Sequence, residues 1–221
     1  EVFESPTPNQ NIPKLAFCDN ITVGTDIDGL IEFDLTQNEV VILNGQSSLD
    51  FTINYYTDVG LTNQILTPNA YQNSNTSETI YAQVVNNSNT NCESQTAFII
   101  EVFELPVISV LVELKQCDDD LDGFSIFNLE EVKAELSVNY LNETITFYES
   151  QSDAENDNDS ILNGTTYLNQ VVSSDNIWAR IENDNECYRT AQVNLIVSTT
   201  QIPNTLSRSF YQCDDGVDLN D

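Results

Sequence analysis

An internal repeat constrains the fold of this chain more than any other feature. The tetrapeptide EVFE begins at Glu1 and again at Glu101, and a proline follows each copy within four residues. Because a repeated sequence folds as a repeated structural unit, we predict units of about 95 to 100 residues, a length that can close a core of its own. A single barrel spanning all 221 residues is the weaker alternative.

Further segments recur at nearly the same spacing. IDGLIEFDL at residues 27–35 matches LDGFSIFNL at 121–129, and IYAQVVN at 80–86 matches IWARIEN at 177–183. The cysteines keep step, with one early and one late in each complete unit and one opening a third: Cys18, Cys92, Cys117, Cys187 and Cys213.

These matches predict a segment of a longer array. The expected divisions are residues 1–8 as the tail of a preceding repeat with its linker, 9–105 as repeat 1, 106–203 as repeat 2 and 204–221 as the start of a third repeat.

The local pattern within each repeat is mostly that of β-strands. Phe33 and Leu35 alternate with polar residues, as the segment around Phe127 also does, and a period of two places the apolar set on one face of a strand. NLEEVKAEL at 128–136 instead indicates a short helix that Asn128 caps. Many short strands in units of this length predict an all-β fold of tandem immunoglobulin-like β-sandwich domains, each with a short helix.

The charge of the chain excludes two classes of partner. Thirty-six acidic residues stand against six basic ones, and the net charge is −30. Binding to nucleic acid or to anionic lipid depends on basic surface, so neither partner is expected. No apolar run approaches the roughly 18 residues of a spanning helix, which predicts no membrane insertion.

Catalysis is not expected. The chain has no histidine, which removes the Ser-His-Asp triad and the commonest proton shuttle near neutral pH. Two carboxylates can hydrolyse glycosides, but acids are so abundant here that a pair of them carries no information. We therefore predict that the chain is not an enzyme.

The cysteines favour disulfides over zinc, because histidine and Cys-x-x-Cys pairs are absent. We predict that Cys18 pairs with Cys92 and that Cys117 pairs with Cys187, which leaves Cys213 without a partner. Each bond would close a loop of about 70 residues or more and stabilise its repeat by roughly 4 to 5 kcal/mol. The alternative is that all of the cysteines are buried free thiols.

A run of aspartates in repeat 2 predicts a Ca²⁺ site. Asp118, Asp120, Asp122 and Gly123 occupy positions 1, 3, 5 and 6 of an EF-type loop, and the backbone carbonyl of Phe124 falls at position 7. The alternative is an ordinary polar turn before a strand.

Two features limit this calcium prediction. The twelfth position is Leu129 instead of glutamate, and repeat 1 supplies only Asp26 and Asp28, with Asp19 nearby. The acidic loop at 153–159 is a second, poorer candidate. A further tension is that a first strand would carry the aspartates toward the next domain, whereas a bond between Cys117 and Cys187 would draw both ends of the repeat together.

The order of motifs resembles a repeat found in large surface proteins of gliding and marine Bacteroidota. The shared elements are Cys-Asp, Asp-Gly, Phe-x-Leu, a late aromatic-Ala-Gln/Arg strand, a second cysteine and a closing strand before proline. The resemblance implies export by the type IX secretion route and an extracellular or cell-surface setting. It implies spacer repeats of a long adhesin that supports surface adhesion or gliding motility, with neighbouring repeats of the same chain as partners.

A carbohydrate-binding module of a secreted polysaccharide-active protein is the alternative function. Tyr81 and Trp178 occupy the same repeat position and form either the second face of the core, which we favour because large aromatics dominate buried area, or an exposed platform for a surface polysaccharide. Ser160, within Asp159-Ser160-Ile161, resembles the O-glycan signal of Bacteroidota, with an ordinary loop serine as the alternative.

Overall fold

The computed structural model describes residues 2–118 and 120–198. Buried apolar side chains form two separate cores, one built from residues between Ile31 and Val102 and the other from residues between Val112 and Val197. Each core therefore belongs to one repeat, and the fold is a tandem pair of immunoglobulin-like β-sandwich domains. The predicted third unit at 204–221, with Cys213, lies outside the described residues.

Repeat 1 is a five-stranded sheet covered on one face by a two-stranded sheet and short helices. The sheet order is β1-β7-β6-β3-β4, with β1 parallel to β7, and β2 pairs with β5. The elements are β1 Leu15–Cys18, β2 Glu32–Phe33, a 3-10 turn Leu35–Asn38, α1 Glu39–Leu43, β3 Phe51–Tyr56, β4 Gln64–Ile65, a 3-10 turn Pro68–Ala70, β5 Tyr71–Gln72, β6 Ser77–Asn86 and β7 Asn89–Phe103.

Repeat 2 has the same layout with a four-stranded sheet. The order is β10-β12-β13-β8, with β8 parallel to β13, and β9 pairs with β11. The elements are β8 Leu111–Cys117, β9 Ile126–Phe127, a 3-10 turn Leu129–Val132, α2 Lys133–Leu136, a 3-10 turn Tyr140–Asn142, β10 Thr144–Tyr148, α3 Gln151–Asn156, a 3-10 turn Gly164–Thr166, β11 Tyr167–Leu168, β12 Ser174–Glu182 and β13 Tyr188–Ser198.

The helix predicted at 128–136 is confirmed as a 3-10 turn that continues into α2. The Asn128 side chain accepts a hydrogen bond from the Glu130 amide, and Leu129, Val132 and Leu136 are fully or almost fully buried. The cap fixes where the helix begins, and the apolar residues three and four apart cover the core.

The preferred placement of Tyr81 and Trp178 in the core is wrong. Both side chains are half-buried, because they alternate with the buried Ile80 and Ile177 and so lie on the outer face of the sheet.

In repeat 2 a helix missed by the sequence analysis, α3, lies across this outer face. The guanidinium of Arg180 donates to the carbonyl oxygens of Ala154, at 3.2 Å, and Glu155, at 3.3 Å. The two repeats therefore do not present the same aromatic platform. Within the described ranges, no helix has both the length and the apolar character that crossing a membrane would require.

Candidate functional site: the junction between the repeats

A disulfide joins the two domains. Cys18 and Cys187 are bonded with their Cα atoms 5.6 Å apart, across 169 residues of sequence. Cys18 ends β1 of repeat 1, and Cys187 immediately precedes β13 of repeat 2. Among the described residues Cys92, which is half-buried, and Cys117, which is exposed, are free thiols.

The predicted pairing within each repeat is wrong. Cys18 lies opposite Phe103 at the end of β7, whereas Cys92 lies 11 residues earlier on that strand. At about 3.3 Å per residue the two cysteines are about 36 Å apart, far beyond the roughly 7 Å between Cα atoms that a disulfide can span. The same register separates Cys117 from Cys187.

This topology also shows that the aspartate turn after the first strand and the disulfide can lie at the same end of a repeat. Because β1 runs parallel to β7, Cys18 and the turn that follows it lie at the end of repeat 1 from which the chain continues to repeat 2. Both features point toward the next domain, since the disulfide partner belongs to that domain.

The acidic turn after Cys18 is held from inside the protein. The buried carboxylate of Asp19 accepts a hydrogen bond from the Gly29 amide at 2.7 Å. Buried Asn73 accepts from the Ile31 amide and donates to the Gly29 carbonyl, both at 2.7 Å. Gly29 has φ +73°, and a Cβ there would lie 2.5 Å from a methyl carbon of Thr76, so the turn requires glycine.

The turn of repeat 2 is built in the same way. Asp118 accepts from the Gly123 amide at 3.0 Å, and Asn169 donates to the Gly123 carbonyl at 3.0 Å and accepts from the Ser125 amide at 2.7 Å. The two buried asparagines occupy equivalent positions, at the ends of AYQN and TYLN. No role was predicted for them from the sequence, although their repetition is a signal that could have revealed it.

Two further contacts cross the junction. A guanidinium nitrogen of Arg189 lies 2.6 Å from a carboxylate oxygen of Asp26 and donates to the Asp26 carbonyl at 3.2 Å. The side-chain amide of Asn183 donates to the Glu104 carbonyl at 2.8 Å, and Pro106 of the linker is buried. In repeat 2 all three contacts come from one segment, residues 183–189. Their partners in repeat 1, Cys18, Asp26 and Glu104, lie on three separate segments, so the contacts together restrict rotation of one repeat on the other.

The predicted calcium ligands of repeat 2 are brought together. One carboxylate oxygen from each of Asp118, Asp120 and Asp122 lies within 4.8 Å of the others, and this is the only such group of acidic or cysteine side chains in the described part of the chain. The amide of Phe124 donates to Asp122 at 2.8 Å. In the second candidate loop, residues 153–156 instead belong to α3, which the Ser150 side chain caps.

In repeat 1 the predicted ligands have other partners. Asp26 pairs with Arg189 of repeat 2. Asp28 accepts from the Thr25 amide at 2.8 Å and from the Leu30 amide at 3.0 Å, and these bonds, that of Thr25 first, hold the pKa of Asp28 below its usual range. The two aspartates therefore serve the turn and the junction.

The candidate glycan residue lies in a loop. Ser160 follows α3 and is partly exposed, and the adjacent Asp159 has φ +51°. Its modification stays a prediction.

The sequence of each repeat matches one protein family. The family model of the Flavobacterium inter-domain disulphide bond domain matches residues 14–106 and again 113–203. The chain belongs to this family. The Cys18–Cys187 bond, which joins the two matched repeats, agrees with that description. The tandem matches agree with a flavobacterial repeat protein. No curated protein matches the sequence significantly.

Several solved structures resemble this chain at low sequence identity. The human desmocollin-1 ectodomain has 14% identity and a TM-score of 0.26, and the match covers 77% of this chain and 33% of the desmocollin chain. This chain therefore spans about a third of the length of that ectodomain. Human mucin-like protocadherin EC1-2 has 11% identity and a TM-score of 0.27, and the match covers 88% of this chain and 98% of the protocadherin chain. Bacteroides ovatus SGBP-B, solved with a mixed-linkage heptasaccharide, has 12% identity and a TM-score of 0.23, and the match covers 88% of this chain and 46% of the SGBP-B chain. Such low values carry no functional implication for this chain.

Proposed function

We propose that these repeats are non-catalytic spacers that form a stiff, covalently linked shaft in a long cell-surface or secreted protein. The observation that carries the proposal is the Cys18–Cys187 disulfide, which joins neighbouring domains instead of closing either one. A domain boundary is ordinarily a hinge. A bond between the ends of the two domains, added to the peptide linker, gives the junction a second covalent connection and restricts that motion.

The equivalence of the repeats supports extension of this pattern along an array. By strand register Cys117 occupies the position of Cys18, beside the last residue of the parallel neighbour. Cys92 likewise corresponds to Cys187, since Ile80 faces Phe98 as Ile177 faces Val193. Cys117 is thus placed to bond the late cysteine of a following unit, and Cys92 the early cysteine of a preceding one.

The same bond supports an extracellular setting. Disulfides form and persist in oxidising compartments and are rare in the cytosol, and a strong net negative charge keeps an extended array soluble and self-repelling. The resemblance to gliding Bacteroidota surface proteins extends the proposal to an adhesin exported by the type IX route, with the shaft holding an adhesive region away from the cell.

Small-angle X-ray scattering on this chain tests the shaft. With the disulfide intact we expect one elongated two-domain particle that a single conformation fits. Cys18→Ser should broaden the distance distribution and require an ensemble, because the linker, one ion pair and one hydrogen bond then hold the junction. Cys117→Ser is the matched control and should scatter like the parent. Flexible scattering from the intact protein, or identical scattering from Cys18→Ser, would contradict the proposal.

Calcium stabilisation of repeat 2 is a second proposal. The gathered carboxylates of Asp118, Asp120 and Asp122 favour it, because hard oxygen ligands bind Ca²⁺ and each carboxylate has lone pairs beyond those its amide donors use. A cation bound only by the folded state raises the free energy of unfolding.

Thermal melts test this proposal. Millimolar Ca²⁺ should raise the midpoint by several degrees relative to chelator, and Asp120→Asn with Asp122→Asn should abolish the difference. Asp26→Asn with Asp28→Asn is the control in repeat 1, where the difference should persist. Equal melts of the parent with and without Ca²⁺ would leave the aspartates as a polar turn.

A further inference from the structure

We propose that Asp26 and Arg189 determine which repeat docks on which. This inference rests on the proposed shaft and concerns its specificity. The disulfide requires only a cysteine at each end of a repeat, and both repeats carry both cysteines. Correct order along an array therefore needs a contact that differs between junctions.

One junction contact is the same at both repeats. The Asn183 side chain donates to the Glu104 carbonyl at 2.8 Å, and the equivalent Asn86 donates to the Glu4 carbonyl, also at 2.8 Å. Glu4 and Glu104 end the two copies of EVFE. This contact seats a repeat on the segment before it but does not distinguish one repeat from another.

The ion pair differs between the repeats. In the register that aligns Cys187 with Cys92, Arg189 corresponds to Ser94, and Tyr188 corresponds to Glu93. A repeat with arginine at this position offers a cation to the domain before it, whereas a repeat with Ser94 there offers a neutral hydroxyl.

The receiving end is acidic in both repeats. Asp26 and Asp120 each lie three residues before the glycine of the turn, Gly29 or Gly123. In a chain with 36 acidic and six basic residues, two docked surfaces would ordinarily bring like charges together and repel. One arginine at the junction makes that electrostatic interaction attractive. Repeat 2 therefore fits the end of repeat 1, while repeat 1, with Ser94 in place of Arg189, brings no cation to an acidic turn.

The ion pair acts on disulfide formation by raising the effective concentration of the two thiols. With glutathione disulfide as oxidant, the Cys187 thiolate attacks one of its sulfurs, forms a mixed disulfide and releases one glutathione thiolate. The Cys18 thiolate then attacks the Cys187 sulfur and releases the second. Two protein thiols lose two protons and are oxidised, and one glutathione disulfide is reduced to two glutathiones.

Equilibration in glutathione buffers measures this contribution. In a Cys92→Ser, Cys117→Ser background, Arg189→Gln and Asp26→Asn should each lower the equilibrium constant for the Cys18–Cys187 bond by about two- to fivefold, the range expected of a partly exposed pair. The equilibrium constant of the double variant should be no lower than that of either single variant. High salt should lower the equilibrium constant of the parent to the same value. Lys115→Gln, which removes the exposed pair with Glu113, is the control and should leave the constant unchanged.

A gain of function is the stronger test. Ser94→Arg should let Cys92 of one copy bond Cys117 of another, with Asp120 in the position of Asp26, and raise the yield of head-to-tail disulfide oligomers about two- to fivefold. Ser94→Gln should give no increase, and Asp120→Asn should abolish the gain. Equal yields from Ser94→Arg and Ser94→Gln, or additive losses in the double variant, would overturn the assignment. The scattering experiment would still support the stiff shaft in that case, because the shaft does not depend on the Asp26–Arg189 pair. The results therefore distinguish failure of this inference from failure of the proposed function.

Discussion

Replacing Cys18 with serine is expected to lower the midpoint of thermal unfolding by about 10 °C or more. The bond closes a loop of 169 residues in the unfolded chain, and the chain-entropy model assigns such a loop about 5 kcal/mol for unfolding of both repeats. For a protein of this size each kcal/mol corresponds to about 2–4 °C. Scanning calorimetry without reductant measures the shift.

Two comparisons separate the bond from the loss of a thiol. Cys187→Ser should reproduce the effect of Cys18→Ser, and the double variant should add nothing because both remove one bond. Cys117→Ser changes an exposed free thiol and should stay within about 0.5 kcal/mol of the parent. An unchanged midpoint in Cys18→Ser would mean that the disulfide contributes nothing to the folded pair.

Phe127→Ala is expected to destabilise repeat 2 by about 3–5 kcal/mol and to leave repeat 1 folded. Phe127 is fully buried in a core whose members all come from repeat 2, so the cost is lost burial and a cavity within that repeat. Trp178, the only tryptophan of the chain, lies on β12 of repeat 2. Its fluorescence should therefore report unfolding at a lower denaturant concentration.

The equivalent substitution in repeat 1 is the matched control. Phe33 is also fully buried, in the core of repeat 1, so Phe33→Ala should lower stability without moving the Trp178 transition in a Cys18→Ser background, where the domains are uncoupled. Two-dimensional NMR of the two variants should lose opposite sets of resonances. Loss of both repeats from either substitution would contradict independent cores.

The sequence was sufficient for features that are local or repeated. Alternation around Phe33 and Phe127 predicted inward-facing strand residues, and Asn128 predicted where a helix begins. In each case the interaction that determines the structure joins residues close in sequence, or the same pattern recurs in the second repeat. The two repeats of one chain can therefore be compared with each other.

The cysteine pairing depended on information that spacing does not carry. A late cysteine in the same repeat and one in the next are equally compatible with the sequence until the register of a parallel strand places Cys18 beside Phe103. That register puts Cys92 at the opposite end of β7. The contact between Arg189 and Asp26 is likewise invisible, because it joins residues that only the relative orientation of two domains brings together.

The misplaced aromatics have a different cause. Alternation predicts that Ile80 and Tyr81 face opposite sides of a sheet, but it does not say whether a second layer covers both sides. Here α1, α2 and the two-stranded sheets cover one face. In repeat 2 the inserted acidic loop forms α3 on the other and buries Tyr148, whose hydroxyl donates to Asp157.

Disulfide mapping by mass spectrometry tests the central claim most directly. The protein is denatured without reductant, its free thiols are alkylated, and it is digested with a protease that cleaves after acidic residues. We predict a linked peptide pair containing Cys18 and Cys187, with Cys92 and Cys117 not joined to either of them. A pair joining Cys18 to Cys92, or Cys117 to Cys187, would contradict the inter-domain bond and with it the proposed shaft.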